Sequence, residues 1–389
     1  MHSSPIDYDS KFISRAGKRW RPSGIRGLFP LEARQGMISM LAGKPNPTTF
    51  PFESISVTLK PSAAATGKEP ETLRLSGSEL DAALQYGPTA GQDDFLSWIY
   101  QLQQRTHARG KPQDEGWSCA VGAGSQELME KAFAAVCDPE DTILMETPVY
   151  SGTLGFLQPS GRTLIAPLER KRLILELVRK YDLLLFEDDA YYFLHFDPQN
   201  RAPSYFSLEK SDGGQTGRVI RFDSLRLKFP SKFPGNNLYP VKSFHLPSSV
   251  TQAITCKLLT HWGHERFEKH CEQVSQFYSE KLEVVNGAAE RHLAGLAEWN
   301  KPVAGMFLWL KLKIAPPGKE DEADSSDLIA TRAVQKGVLA VPGFAFLPNA
   351  GKSPYVRTSF SLIDAASADE GFARLASVIR EARVEAGLE

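Results

Sequence analysis

The stretch KYDLLLFEDDAYYFLHF, residues 180–196, decides how this chain is read. Leu183 to Phe186 form a continuous apolar run without alternation, the pattern of a short strand in a parallel sheet covered on both faces. Glu187, Asp188 and Asp189 then fall at the carboxyl end of that strand, the edge at which open α/β sheets place their ligands. An acidic cluster alone is more often a solvated turn, so its meaning depends on what the rest of the chain supplies.

Outward from this strand, the chain alternates strands and helices. CAVGAGSQELMEKAFAAV (119–136) reads as strand, glycine turn and helix, and DTILMETPVY (141–150) as another strand. ERKRLILELVRKYD (169–182) is a helix leading into the quoted strand, and DDFLSWIYQLQQRTHARG (93–110) has helical periodicity with a glycine stop. Such alternation predicts an α/β fold built on a doubly wound, mainly parallel sheet. Toward the C-terminus the texture changes: GMFLWLKLK and YVRTSFSL read as strands, SSDLIATRAVQKGV and ADEGFARLASVIREARVEAG as helices, with the charged loop PPGKEDEADSSD between. The expected division is an N-terminal arm (1–40), a large ligand-binding domain (41–285) and a smaller α+β C-terminal domain (286–389).

Composition narrows the function. The 389 residues are 42% hydrophobic and 23% charged, ordinary for a globular protein large enough for two domains, and the formal net charge of −1 offers no electrostatic case for nucleic acid. The four cysteines form no CxxC pair, which fits free thiols in a reducing compartment. HWGH (261–264) lacks a third ligand at a recognisable spacing, so no metal is expected and the stretch reads as a helix end with its loop. The N-terminal MHSSPIDYDSKF has neither a signal-peptide core nor an Arg-rich amphipathic pattern, and no apolar run approaches the ~20 residues a membrane helix needs, so a cytoplasmic protein is expected.

Four further motifs carry chemistry. In GAGSQELMEKAF (122–133), glycines at 122 and 124 are expected to let the backbone turn tightly, and Ser125 and Gln126 open a helix whose free N–H groups favour a phosphate. ETPVYSGT (146–153) ends a strand with the aromatic Tyr150, and RFDSL (221–225) ends another with Asp223 and Ser224. PYVRTSFSL (354–362) puts Arg357 on a strand, where a planar guanidinium suits a carboxylate. Singly, each has a structural explanation: a cap, a packed ring, a surface ion pair.

Together, and in this order, they resemble the fold-type I pyridoxal-phosphate aminotransferases, most nearly the subgroup acting on aromatic amino acids, kynurenine and 2-aminoadipate. The resemblance runs through LAGKPNPTTFPF, LQYGPTAG, GSQ, ETPVYSGT, the opening stretch, GMFLWLKLK, VLAVPGFAF and YVRTSFS. It implies that Asp188 bonds the pyridine nitrogen of pyridoxal 5'-phosphate and keeps it protonated. It implies that Tyr191 donates to the cofactor's phenolate oxygen, that Tyr150 stacks on the ring, and that Ser125, Gln126 and Ser224 hold the phosphate. Arg357 would bind the substrate α-carboxylate, with Arg26 and Gly43 lining the pocket. Tyr86 would reach the phosphate of the partner subunit's cofactor, which implies a homodimer acting on amino acids and 2-oxo acids. Tyr192 and Phe193 are expected to be packing residues.

The family pattern breaks twice. The lysine that bonds the cofactor and moves the substrate proton belongs three residues after the serine of DSL, where DSLRLKFPSKFPGNN has Leu227. Lys228 is one residue away and Lys232 lies beyond Pro230; they are the two candidates. The usual glycine–arginine stretch is also missing, and between GRTLIA and PLERKR there is no counterpart of the segment with an Asn-Pro-Thr-Gly turn. On these grounds the sequence predicts little covalent attachment of the cofactor. The alternative reading is a catalytically impaired homologue that only binds cofactor or ligand. Both gaps have abrupt edges between intact motifs, as errors of gene reading would.

Overall fold

The structure, a computed structural model, describes residues 6–21, 28, 31–32, 34–41, 43–61, 70–157, 163–165, 171–223, 231–232, 248–349 and 351–389. The chain divides into two compact units. One holds Met1–Asp138, Glu169–Ala190 and Ala202–His270; the other holds Pro139–Leu168, Tyr191–Arg201 and Cys271–Glu389.

In the first unit, Leu185–Asp188 and Val219–Phe222 pair in parallel with Asp188 opposite Phe222. All four residues of Val219–Phe222 are buried, as a strand covered on both faces requires. Phe186 links Phe133 of the Ser125–Val136 helix to Phe222, with ring centroids 4.3 and 5.5 Å apart, so helix and strands share one aromatic core. Cys119–Ala120 pairs antiparallel with Ser231–Lys232, and Ser54–Thr58 pairs antiparallel with Thr72–Ser76. The N-terminal chain is tied to the same unit through buried Ser14, whose N–H donates to Ala135 O and whose hydroxyl caps the short Arg15–Arg19 helix at Gly17 N.

The second unit has a parallel pair, Thr142–Leu144 with Thr163–Ile165, and a four-stranded antiparallel sheet. The sheet order is Val341–Pro342, Tyr355–Ser359, Phe307–Leu312 and Ala297–Glu298. Phe307–Leu312 alternates half-buried and buried positions, so Leu308, Leu310 and Leu312 enter the core. There they meet Val356, Phe360 and the Phe372, Leu375 and Ile379 face of the Ala365–Glu385 helix. Asp364 caps that helix by accepting from Ser367 N at 2.8 Å.

Three expectations change. The strand runs over Leu185–Asp188 rather than Leu183–Phe186. Asp182 sits in the left-handed region with φ 53°, and Leu183 N donates back to Val178 O, so Leu183 closes the end of the preceding Lys171–Lys180 helix. Gly124 has φ 174°, ordinary extended backbone. At Gly122 the requirement is space, because a Cβ would come within 2.4 Å of Leu128 Cγ. HWGH is a break within a helix: Gly263, at φ 67° and ψ 177°, interrupts the Ser249–Leu293 helix, which resumes at once. Tyr192 and Phe193 are buried, as expected of packing residues.

Candidate active site

Strand alternation sorts the acidic triplet into two kinds. Glu187, opposite Arg221 in the parallel register, turns inward with Asp189; Asp188, opposite Phe222, turns the other way. Arg221 is fully buried, and its guanidinium bonds Glu187 Oε2 at 2.9 Å, Asp189 Oδ2 at 2.8 Å and Asp223 Oδ1 at 2.8 Å. Glu187 also accepts from Tyr205 N at 2.7 Å and Phe206 N at 3.3 Å, capping the Tyr205–Ser211 helix. Burial, together with Asp189 and Glu187, pushes the Asp223 carboxyl well above the usual range against the pull of Arg221. Two of the three consecutive acids are therefore structural.

Asp188 differs. Its side chain is exposed and makes no hydrogen bond or ion pair among the described residues. The protein packed around it still dehydrates its carboxyl enough that, with Asp189 adjacent and despite Arg221, its pKa is raised to about 6. Among the described residues no cationic N–H donor bonds this carboxyl, and a protonated pyridine nitrogen would supply one. In the same unit the Ser125–Val136 helix starts at Gly124 without a side-chain cap, with Ser125 half-buried and Gln126 exposed in its first turn. That start suits the oxygens of a phosphate. The described residues of this unit fit pyridoxal 5'-phosphate at its ring nitrogen and its phosphate.

The second unit holds Arg357 in the Tyr355–Ser359 strand, with Trp309 and Val341 as its cross-strand neighbours. Its guanidinium lies 4.1 Å from the ring centre of Phe307 and 4.6 Å from that of Phe346. It is half-buried, and among the described residues no carboxylate pairs with it. Burial draws its pKa down, opposed by the nearby phenols of Tyr191 and Tyr150. Tyr191 meets Phe307 edge-on at 6.3 Å, and Gly305, at φ 81°, brings its backbone close to the tyrosine ring. Tyr150 is 54% exposed ahead of the Ser151–Leu157 helix, and Val149 N donates to Phe346 O, which ties the tyrosine's loop to the turn that carries Phe346.

The structure thus brings Asp188, Ser125 and Gln126 into one unit and Tyr150, Tyr191 and Arg357 into the other. Tyr86 is 75% exposed and Gly43 lies open, with nothing within 4 Å of where a Cβ would stand. Arg26, Ser224, Leu227 and Lys228 lie outside the described residues, as does nearly all of the chain around both breaks. Lys232 is described in its backbone, opposite Cys119. Sequence reasoning missed Arg221, Phe307 and Phe346. The signal for the first was an Arg and an Asp at alternate positions inside the apolar run VIRFD. Among the described residues no His, Cys, Asp and Glu group could hold a metal ion, and no helix is long and apolar enough to cross a membrane.

No family model matches the chain. It is 39% identical to aminotransferase tdiD of Emericella nidulans, covering 95% of each chain. It is 32% identical to the mitochondrial kynurenine/alpha-aminoadipate aminotransferase of Bos taurus, covering 96% of this chain and 99% of that one. The first alignment extends over 428 positions, more than the 389 residues present here, so that relative carries residues with no counterpart in this chain. Among solved structures, aminotransferase Aro8 of Candida albicans superposes with a TM-score of 0.82 at 21% identity, covering 99% of this chain and 100% of that one. That likeness establishes the two-domain α/β fold. With two relatives above 30% identity matched over nearly their whole length, the chain belongs to the fold-type I pyridoxal-phosphate aminotransferases, enzymes that move amino groups between amino acids and 2-oxo acids.

Proposed function

We propose that this chain transfers the amino group of an aromatic, kynurenine or 2-aminoadipate-type amino acid to a 2-oxo acid. The observation that carries this reading is Arg357, a half-buried guanidinium held by two rings and left without a carboxylate among the described residues. Both arms of its fork are available to a substrate α-carboxylate, common to the amino acid and the oxo acid. The relative at 39% identity supports amino transfer, and the kynurenine/alpha-aminoadipate aminotransferase at 32% identity supports the substrate class.

Pyridoxal 5'-phosphate, when bound, supplies an electron-accepting ring. Asp188 would hold the ring nitrogen protonated, Tyr191 would donate to the phenolate oxygen, and Tyr150 would cover one face. Ser125, Gln126 and Ser224 would bind the phosphate, joined by Tyr86 of the partner subunit in a homodimer. Arg26 and Gly43 would line the substrate pocket. The lysine Nζ that takes the proton from the substrate Cα and returns it is assigned to Lys228. Supporting this, Ser231–Lys232 runs antiparallel to Cys119–Ala120, whose carboxyl end leads to the Gly122–Gly124 turn. Lys232 therefore lies farther from that ligand-binding edge than Ser231 does. We assign the domains as an arm to residue 40, a cofactor domain to 285 and a small domain beyond, and place the protein in the cytoplasm.

Two measurements test this. Purified protein is incubated with pyridoxal 5'-phosphate, reduced with borohydride and mapped; a stoichiometric pyridoxyl adduct on Lys228, or on Lys232 as the alternative, would identify the lysine and overturn the expectation of little covalent attachment. Amino transfer from kynurenine, phenylalanine and 2-aminoadipate to 2-oxoglutarate is then followed. Binding without adduct or turnover would replace this reading with that of a homologue that only binds the cofactor.

A further inference from the structure

The mechanism assigned above uses Asp188 but not the buried charges beside it. Glu187 and Asp189 flank it in sequence, and Asp223 directly follows Phe222, the last paired residue of the neighbouring strand. Of these, Asp189 bears directly on Asp188 and, with burial, raises its proton affinity, since like charges at short range disfavour ionisation. One group opposes this. Arg221 contacts all three at once, through Nη1 to Glu187 and Asp189 and through Nε and Nη2 to Asp223 at 3.1 and 2.8 Å.

We infer that Arg221 is a positioning residue for Asp188: by gathering Glu187, Asp189 and Asp223 on the inner face of the ladder, it leaves Asp188 alone, ionised and outward-facing, to meet the ring nitrogen. The inference rests on the cofactor role proposed for Asp188. The geometry is specific to the register. With Glu187 opposite Arg221 and Asp188 opposite Phe222, strand alternation puts all three bound acids on the guanidinium's side and Asp188 on the other. Arg221 has no route to solvent, so its charge is screened little. The groups bearing on Asp188 are Asp189 on its own strand, which raises its proton affinity, and Arg221 on the neighbouring strand, which lowers it. Glu187 and Asp223 act behind Arg221, and Lys171 reaches Glu187 at 3.6 Å.

The test uses two variants and two readouts. Asp189→Asn removes one like charge and frees Arg221 from one partner. Arg221→Lys keeps a charge but cannot fork to three carboxylates. In cofactor-free protein with 13C-labelled aspartate, the Asp188 carboxyl resonance, assigned by its loss in Asp188→Asn, is titrated. The midpoint is expected to fall by about half a unit or more in Asp189→Asn and to rise in Arg221→Lys. The pH midpoint of pyridoxal 5'-phosphate binding, read by absorbance, is expected to move the same way. Asp189 is partly exposed, so Asp189→Asn serves as a background in which Arg221→Lys is tested again should the single variant fail to fold. Cofactor binding by the wild type with an Asp188 midpoint that does not rise when Arg221→Lys is introduced, in either background, overturns the positioning role alone. Absence of cofactor binding at every pH overturns the cofactor role of Asp188 and the positioning role with it.

Discussion

Arg221 and Arg357 each sit on a strand and each contribute a guanidinium removed wholly or partly from water, yet their surroundings are opposite. Arg221 is fully buried and saturated with three carboxylates. Arg357 is half-buried, flanked by Phe307 and Phe346, and has no carboxylate among the described residues. A guanidinium whose donors are spent on the protein's own acids is part of the scaffold. One whose faces are held by rings while its edge stays unused is prepared for an incoming anion, because cation–π contacts stabilise the charge without occupying the N–H fork. What surrounds an arginine, more than its burial, separates the structural from the ligand-binding kind.

The largest expected effect breaks the comparison on the structural side. Arg221→Gln leaves Glu187, Asp189 and Asp223 with no guanidinium between them, and losing one partner of a buried ionic cluster costs about 3–5 kcal/mol. Urea unfolding should show a loss of that size, whereas Arg357→Gln should stay within about 1 kcal/mol of wild type. Equal losses in the two variants would mean that the two arginines do the same work.

On the ligand side the order reverses. Arg357→Ala should weaken binding of both the amino acid and the oxo acid by about 2–5 kcal/mol, the range for truncating one partner of a desolvated charge pair. Michaelis constants for both substrates would report it. If neither changes, Arg357 does not hold the carboxylate.

A smaller effect follows from Asp188, whose pKa is raised to about 6. A protonated ring nitrogen binds its ionised form, so affinity for pyridoxal 5'-phosphate is full above that pH. As pH falls through about 6 it declines, approaching tenfold per pH unit. The cofactor's own phosphate titrates in the same range but does so equally with Asp188→Asn protein, so the ratio of the two affinities isolates Asp188. A ratio constant from pH 5 to 8 would exclude this role.

Much of this arrangement was legible in the chain, for reasons that differ by residue. Arg357 on a strand, Asp188 at a strand's carboxyl end and Ser125 opening a helix all follow from local periodicity and turn chemistry, which a single sequence displays. The boundary of the central strand was not, because Leu183 and Leu184 look like strand residues, yet Asp182 turns left-handed, Leu183 N bonds back to the helix, and pairing begins only at Leu185. Nor was the division of labour within Glu187-Asp188-Asp189, which depends on the register against Val219–Phe222, a pairing between segments more than thirty residues apart. Phe307 and Phe346 likewise join Arg357 only through tertiary packing.

The smallest effect tests whether those rings matter to the arginine they flank. Phe307 lies on the strand beside Arg357, with the guanidinium 4.1 Å from its ring centre. Phe307→Leu keeps an apolar side chain of similar bulk but removes the ring quadrupole, whose attraction is worth about 0.5–1 kcal/mol where water has access and about 2 kcal/mol where it does not. For a half-buried site, carboxylate affinity should drop by roughly 1 kcal/mol, seen as a several-fold rise in both Michaelis constants with turnover unchanged. A double-mutant cycle decides the cause. If the ring acts through the guanidinium, Phe307→Leu should have no further effect on substrate binding in an Arg357→Ala background. An equal loss in both backgrounds would show that Phe307 touches the substrate directly, and Arg357 would then owe its position to the strand alone.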